Sequence, residues 1–180
     1  MVTLIAAVGI SGSGKTTTLE YLISSLTNEG YKVGAIKHIH REGFTVDREG
    51  TNTWRFTQAG SKITVAFSPE EIAVIKKTKT SMDELDKVIK QLENEQLDII
   101  FIEGFHDVIS KKPEIIKIIT AKNNDDLEKT LNDSVPPIIA ISGLIAKNKP
   151  SASKIPFINL PDEGPQLLEL VKKHLAANKN

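Results

Sequence analysis

Gly9-Ile10-Ser11-Gly12-Ser13-Gly14-Lys15-Thr16-Thr17 follows directly on the apolar run Val2 to Val8. Glycine stands first and sixth in this stretch, then a lysine and a hydroxyl residue, which is the spacing of a phosphate-binding loop. Glycines let the backbone turn tightly enough for successive N–H groups to converge on phosphate oxygens. A helix opening near Lys15 adds the positive end of its dipole. Lys15 is then placed to reach the β- and γ-phosphates of ATP or GTP, and the Thr16 hydroxyl to reach Mg²⁺. The expected phosphate contacts are Gly9, Ser11, Gly12, Ser13, Gly14, Lys15, Thr16 and Thr17.

Outward from this loop, short β-branched runs alternate with amphipathic stretches. Val2 to Val8 reads as a buried strand, without the charged flank of a signal peptide. Leu19, Leu22, Ile23 and Leu26 recur at helical spacing, and Gly30 supplies a left-handed stop. Lys32 to Ile39 is a second strand; the polar stretch Arg41 to Asn52 is a long loop before a short helix ended by Gly60. Ile63 to Phe67 and Ile72 to Lys76 flank Ser68-Pro69-Glu70 as a hairpin, suited to a sheet edge or a subunit contact. Ser81 and Glu84 form a capping box ahead of the stripe Met82, Leu85, Ile89 and Leu92. Strands at Ile99 to Ile102, Ile115 to Thr120 and Pro137 to Ser142 follow, with a helix near Asp125 to Leu131. Pro156 to Ile158 and a helix carrying Leu167, Leu168, Val171 and Leu175 close the chain. The expected fold is α/β: a P-loop NTPase with a mostly parallel sheet covered by helices and an antiparallel hairpin insertion, in one nucleotide-binding domain over residues 1–180.

Composition narrows the function classes. The chain has 180 residues, 39% hydrophobic and 26% charged, and its 23 basic residues balance 23 acidic ones. A nonspecific nucleic-acid binder needs surplus cations, so no nucleic-acid partner is expected. No run approaches the roughly 20 apolar residues of a membrane helix. Cysteine is absent, which removes disulfides and thiolate ligands and suits a reducing cytoplasm.

A phosphate-binding loop needs an acid on the Mg²⁺ side, usually at the end of a buried strand. Glu103 ends Ile99-Ile100-Phe101-Ile102 and precedes Gly104, which gives the backbone room to turn. Asp47, in the long loop, is the second candidate for the metal's water shell or for a solvated surface. Lys15, Asp47 and Glu103 are the catalytic candidates; Thr16, Glu103 and Asp47 are the metal candidates. Lys37, His38 and His40 stand at the end of the second strand, where period two puts the histidines on one face. Two histidines fall short of the three ligands zinc requires. Lys37 either touches phosphate or finishes a strand. Trp54 and Phe56 are expected to pack, with base stacking as the other reading.

The glycine loop, Val33-Gly34-Ala35-Ile36-Lys37-His38-Ile39-His40, then Asp47, Gly50, Ala59-Gly60 and Ile102-Glu103-Gly104-Phe105 together resemble the molybdopterin-guanine dinucleotide biosynthesis adapter (MobB) family. The likeness covers roughly residues 1–120. It implies a GTP-binding adapter with weak GTPase activity that assists attachment of GMP to molybdopterin, as a homodimer beside a molybdopterin guanylyltransferase. It carries phosphate binding onto Gly12, Gly14, Lys15, Thr16 and Thr17 and Mg²⁺-side roles onto Glu103 and Asp47. The chain departs from the family pattern at Arg41, Asn52 and Gly143, and lacks the Asn-Lys-x-Asp guanine motif. An ATP-dependent small-molecule kinase or ligase would use the same loop, although Arg41, Arg48 and Arg55 are the only arginines and leave no Arg-rich lid. A metal-insertion GTPase would need a ligand cluster; the other histidines are His106 and His174.

Overall fold

The computed structural model describes residues 2–80, 83–148 and 153–177. Its elements in chain order are β1 (Thr3–Val8), α1 (Lys15–Asn28), β2 (Val33–Lys37), α2 (Asn52–Gln58), β3 (Ile63–Phe67), β4 (Ile72–Lys76), α3 (Asp83–Glu93), β5 (Ile99–Glu103), α4 (His106–Ile109), β6 (Ile116–Thr120), α5 (Asn124–Asn132), β7 (Ile138–Ser142) and α6 (Gly164–Ala177). A 3-10 turn, Leu144–Lys147, lies between β7 and α6. None of these helices is long and apolar enough to cross a membrane. The chain divides into two compact units, residues 1–38 with 85–180, and residues 39–84.

The larger unit is built on a five-stranded sheet in the order β2-β5-β1-β6-β7, every neighbouring pair parallel. Parallel strands buried on both faces read as continuous apolar runs, which is how β1 and β5 look in sequence. Alternate residues of β1 serve opposite layers. Ile5 and Ala7 pack with Leu19, Leu22 and Leu26 of α1 and Leu167, Val171 and Leu175 of α6. Ala6 and Val8 face the other way, with Leu85 and Ile89 of α3 and Ile109 of α4. Gly30 takes the expected left-handed conformation, φ 87°, just past α1.

The smaller unit carries α2 and the β3–β4 hairpin, a two-stranded sheet separate from the central one. Its register pairs Phe67 with Ile72, Val65 with Val74 and Ile63 with Lys76. Ser68 closes the turn: its N–H donates to the Glu71 carbonyl at 2.9 Å, and its hydroxyl accepts from the Glu71 N–H at 3.0 Å. The Thr51 hydroxyl caps α2 by accepting from the Trp54 N–H.

Several expectations change. Phe56 does not pack; it is 61% exposed, because α2 is seven residues long and buries none of its side chains. β2 stops at Lys37, so His38 and His40 lie beyond the strand and its two-residue alternation does not govern them. Pro156 to Ile158 contributes one isolated bridge, Ile141 with Phe157. The helix α4 and the 3-10 turn, four residues each, carry too few residues for a readable period. The Ser81 capping box and Met82 fall outside the described residues.

Candidate functional site

The glycine loop joins β1 to α1, and β1 lies between β5 and β6, strands the chain reaches only later. Ligand crevices of open α/β sheets form at such switch points, outside the carboxyl ends of the strands. Gly14 heads α1 with φ 107°; no side chain caps this helix and no acid occupies its first turn. The first N–H groups of α1 are thus left for an anion.

Behind the loop the fit is tight. A Cβ on Gly9 would lie 2.0 Å from the Thr120 carbonyl oxygen, and one on Gly143 2.0 Å from that of Ser13. The Ser13 hydroxyl, expected at a phosphate, is fully buried and bonded to the Thr120 hydroxyl at 2.6 Å. Its side chain braces the loop against β6, because the residue faces the sheet.

In front of the loop, Ser11, Gly12, Gly14, Lys15, Thr16, Thr17, Lys37 and Glu103 line a cleft of about 330 Å³. The Lys15 ammonium donates to the carbonyls of Gly9 (2.9 Å) and Ile10 (2.6 Å). Burial holds it below the ordinary lysine value; Glu103 opposes that shift, while Lys37 and Lys122 add to it. The Thr16 hydroxyl lies 3.0 Å from both carboxylate oxygens of Glu103. Glu103 is only 7% exposed and is ion-paired with Lys37. A buried carboxylate joined to a hydroxyl is an all-oxygen donor set, the kind a hard cation such as Mg²⁺ takes while keeping several waters.

Asp47 belongs to the smaller unit. Its Oδ1 accepts from the hydroxyls of Thr53 (2.7 Å) and Thr51 (3.2 Å) at the start of α2, so it is engaged locally in holding that helix end. His38 stacks on Phe105, ring centroids 4.2 Å apart and planes 12° from parallel. Gly104 makes this possible, since a Cβ there would come within 2.6 Å of the His38 Cβ. The backbone turns at Gly104 as anticipated, with φ 93°, and His38 lies against the turn. Phe105 follows in the left-handed region, φ 56°. Among the described residues no group of three or more His, Asp or Glu is arranged to hold a metal ion.

Lys122, Thr120 and Gly143 are site residues that motif reading did not assign, and Lys37, open between a phosphate contact and a strand end, joins them beside Glu103. The Lys122 Nζ and Cε lie 3.4 Å from where a Gly12 Cβ would stand. All four follow from one signal: parallel strands end on one edge, so the residues closing β2, β6 and β7 reach the same edge as the loop after β1.

A family model described as "Molybdopterin guanine dinucleotide synthesis protein B" (MobB) matches residues 4–142. The chain belongs to the MobB family. A molybdopterin-guanine dinucleotide biosynthesis adapter protein of Haemophilus influenzae is 32% identical over 139 residues, 77% of this chain and 73% of that protein. The corresponding protein of Escherichia coli K12 is 33% identical over 120 residues, 66% of this chain and 65% of its own length. The crystal structure of Bacillus subtilis MobB superimposes with a TM-score of 0.72 at 23% identity, covering 95% of this chain and 96% of that one. That of a MobB homologue from Bacillus stearothermophilus gives 0.70 at 18% identity, covering 97% and 98%. The MobB match spans β1 through β7, so the glycine loop, Lys37 and Glu103 all lie inside it.

Proposed function

We propose that this MobB-family chain is a GTP-binding adapter of molybdenum cofactor biosynthesis, acting where molybdopterin guanine dinucleotide is made. The observation that carries the reading is the meeting of Thr16 with Glu103 at the uncapped start of α1. Loop N–H groups and Lys15 would hold the β- and γ-phosphates, with Thr16 and Glu103 holding Mg²⁺, whose charge offsets that of the triphosphate oxygens. Guanine is proposed as the base because the family is named for guanine dinucleotide synthesis.

Hydrolysis by this site is expected to be slow. Glu103 is engaged by both Thr16 and Lys37 and is not free to take a proton from water. Catalysis would rest on positioning and charge neutralisation by Lys15 and Mg²⁺. Asp47 is retained as a candidate that orders its loop when triphosphate is present.

The molybdopterin guanylyltransferase is the proposed partner, and the cytoplasm, the setting of that biosynthesis, the proposed location. A homodimer is proposed because Ile63, Val65, Phe67, Ile72 and Val74 share one hairpin face and are 54 to 79% exposed. The test is titration with GTP and ATP, with and without Mg²⁺, followed by co-purification with the guanylyltransferase. Tighter Mg²⁺-dependent binding of GTP, together with association, supports the reading. Preference for ATP without association would favour a kinase or ligase on the same loop.

A further inference from the structure

Lys37 is the last residue of β2 and stands opposite Glu103 in the parallel register. The His38 N–H donates to the Glu103 carbonyl at 2.8 Å and fastens the two strand ends together. The Lys37 ammonium is thereby delivered to Glu103 Oε1, inside the same cleft as Lys15 and Thr16. Two ammonium groups and one carboxylate then line the cleft together with the glycine loop. Lys15 is turned to the loop carbonyls on one side; Lys37 is turned to Glu103 on the other. The Lys37 side chain is half exposed, at 52%, against 10% for Glu103. Of the two partners, the lysine is the one with room to swing.

A diphosphate is satisfied by the loop and Lys15. A third phosphate brought toward Glu103 would meet the carboxylate's repulsion unless cations stand between them. We infer that Lys37 is a γ-phosphate ligand: it neutralises Glu103 when no triphosphate is bound, and passes to the γ-phosphate when Mg²⁺ takes its place at the carboxylate. The protein would thus distinguish triphosphate from diphosphate by exchanging cations at Glu103. This inference rests on the nucleotide site proposed above and adds to it a residue that senses the terminal phosphate.

The experiment is calorimetric titration of the full chain, with Mg²⁺, by GDP and by the β,γ-imido analogue of GTP, for native protein, Lys37→Met and Lys37→Arg. Lys37→Met should lose about tenfold or more in affinity for the analogue, the size of a charge-assisted hydrogen bond to phosphate, and stay within about twofold for GDP. Lys37→Arg should keep most of the analogue affinity. GDP binding by each variant also shows that it is folded. Equal loss for both nucleotides, or no loss for the analogue, overturns the inference and leaves the nucleotide site standing. Native protein that binds neither nucleotide removes that site, and the inference with it.

Discussion

The hydroxyl of Thr16, in the first turn of α1, lies 3.0 Å from both carboxylate oxygens of Glu103, at the end of β5 and 87 residues away. The contact exists because β5 pairs directly with β1 and places Glu103 beside Ala7, just short of the glycine loop. The proposed nucleotide site depends on that junction and on what holds it in place.

Gly143 is one such support. A Cβ there would sit 2.0 Å from the Ser13 carbonyl oxygen, and its φ is 89°. Gly143→Ala must displace the glycine loop from β7. Gly30→Ala, with φ 87° and open space around it, suffers only the backbone penalty of about 1–2 kcal/mol. Chemical denaturation should show the Gly143 variant as clearly the less stable of the two, and only it should lose nucleotide affinity. Equal stabilities would mean that the loop is not wedged against β7.

The lowered pKa of Lys15 has a definite sign. Burial disfavours the ammonium in the folded chain, so the unfolded chain holds that proton more tightly. The contribution of Lys15 to stability then rises with pH between its lowered value and the ordinary 10.5. A triphosphate bound at the proposed site would restore the proton. Across that alkaline window nucleotide binding should take up protons and weaken as pH rises, seen by calorimetry in buffers of different ionisation enthalpy. Proton release on binding would contradict it.

Lys117 tests the core. It is fully buried in β6, its ammonium donates to the Lys112 carbonyl, and desolvation pulls its pKa below the ordinary value, against Glu114. The Lys112 carbonyl also accepts from the Ile115 N–H, so it keeps a partner if the lysine is lost. Lys117→Met should leave stability unchanged or raise it by about 1 kcal/mol or more near neutral pH. The gap should close as pH rises toward 10.5. Lys117→Ala should cost about 2–5 kcal/mol through the cavity it opens. Denaturant titration checks all three statements; a Met variant as unstable as the Ala variant would refute the first.

The hairpin face gives a fourth prediction. Val65 and Val74 are cross-strand partners, and both are more than half exposed. If this face joins two copies, Val65→Asp should shift sedimentation from dimer to monomer without lowering the melting temperature of the monomer. A native protein that sediments as a monomer at working concentration would rule out the homodimer.

The glycine loop, the strands and the hairpin were legible because each depends on residue types at fixed local spacing. Gly9, Gly12 and Gly14 set a backbone; alternating Ile63, Val65 and Phe67 set a strand. Glu103 could be found by the same reasoning, as an acid ending a buried run. The partners of these residues were not legible. Lys37 meets Glu103 only because β2 pairs with β5, and no local pattern states strand order. His38 was considered as a metal ligand, yet the turn at Gly104 stacks it on Phe105. Phe56 reads as a packing aromatic of the short helix, yet a seven-residue helix buries little.

The most direct test joins Glu103 to Mg²⁺. GTP affinity should be measured for native protein and for Glu103→Gln as Mg²⁺ is raised from zero to millimolar concentration. Native protein should tighten by about tenfold or more. Glu103→Gln, uncharged but still able to accept from Thr16, should show little response to the metal while still folding. Equal Mg²⁺ dependence in the two proteins, or no GTP binding by the native chain, would contradict a triphosphate site built on Thr16 and Glu103.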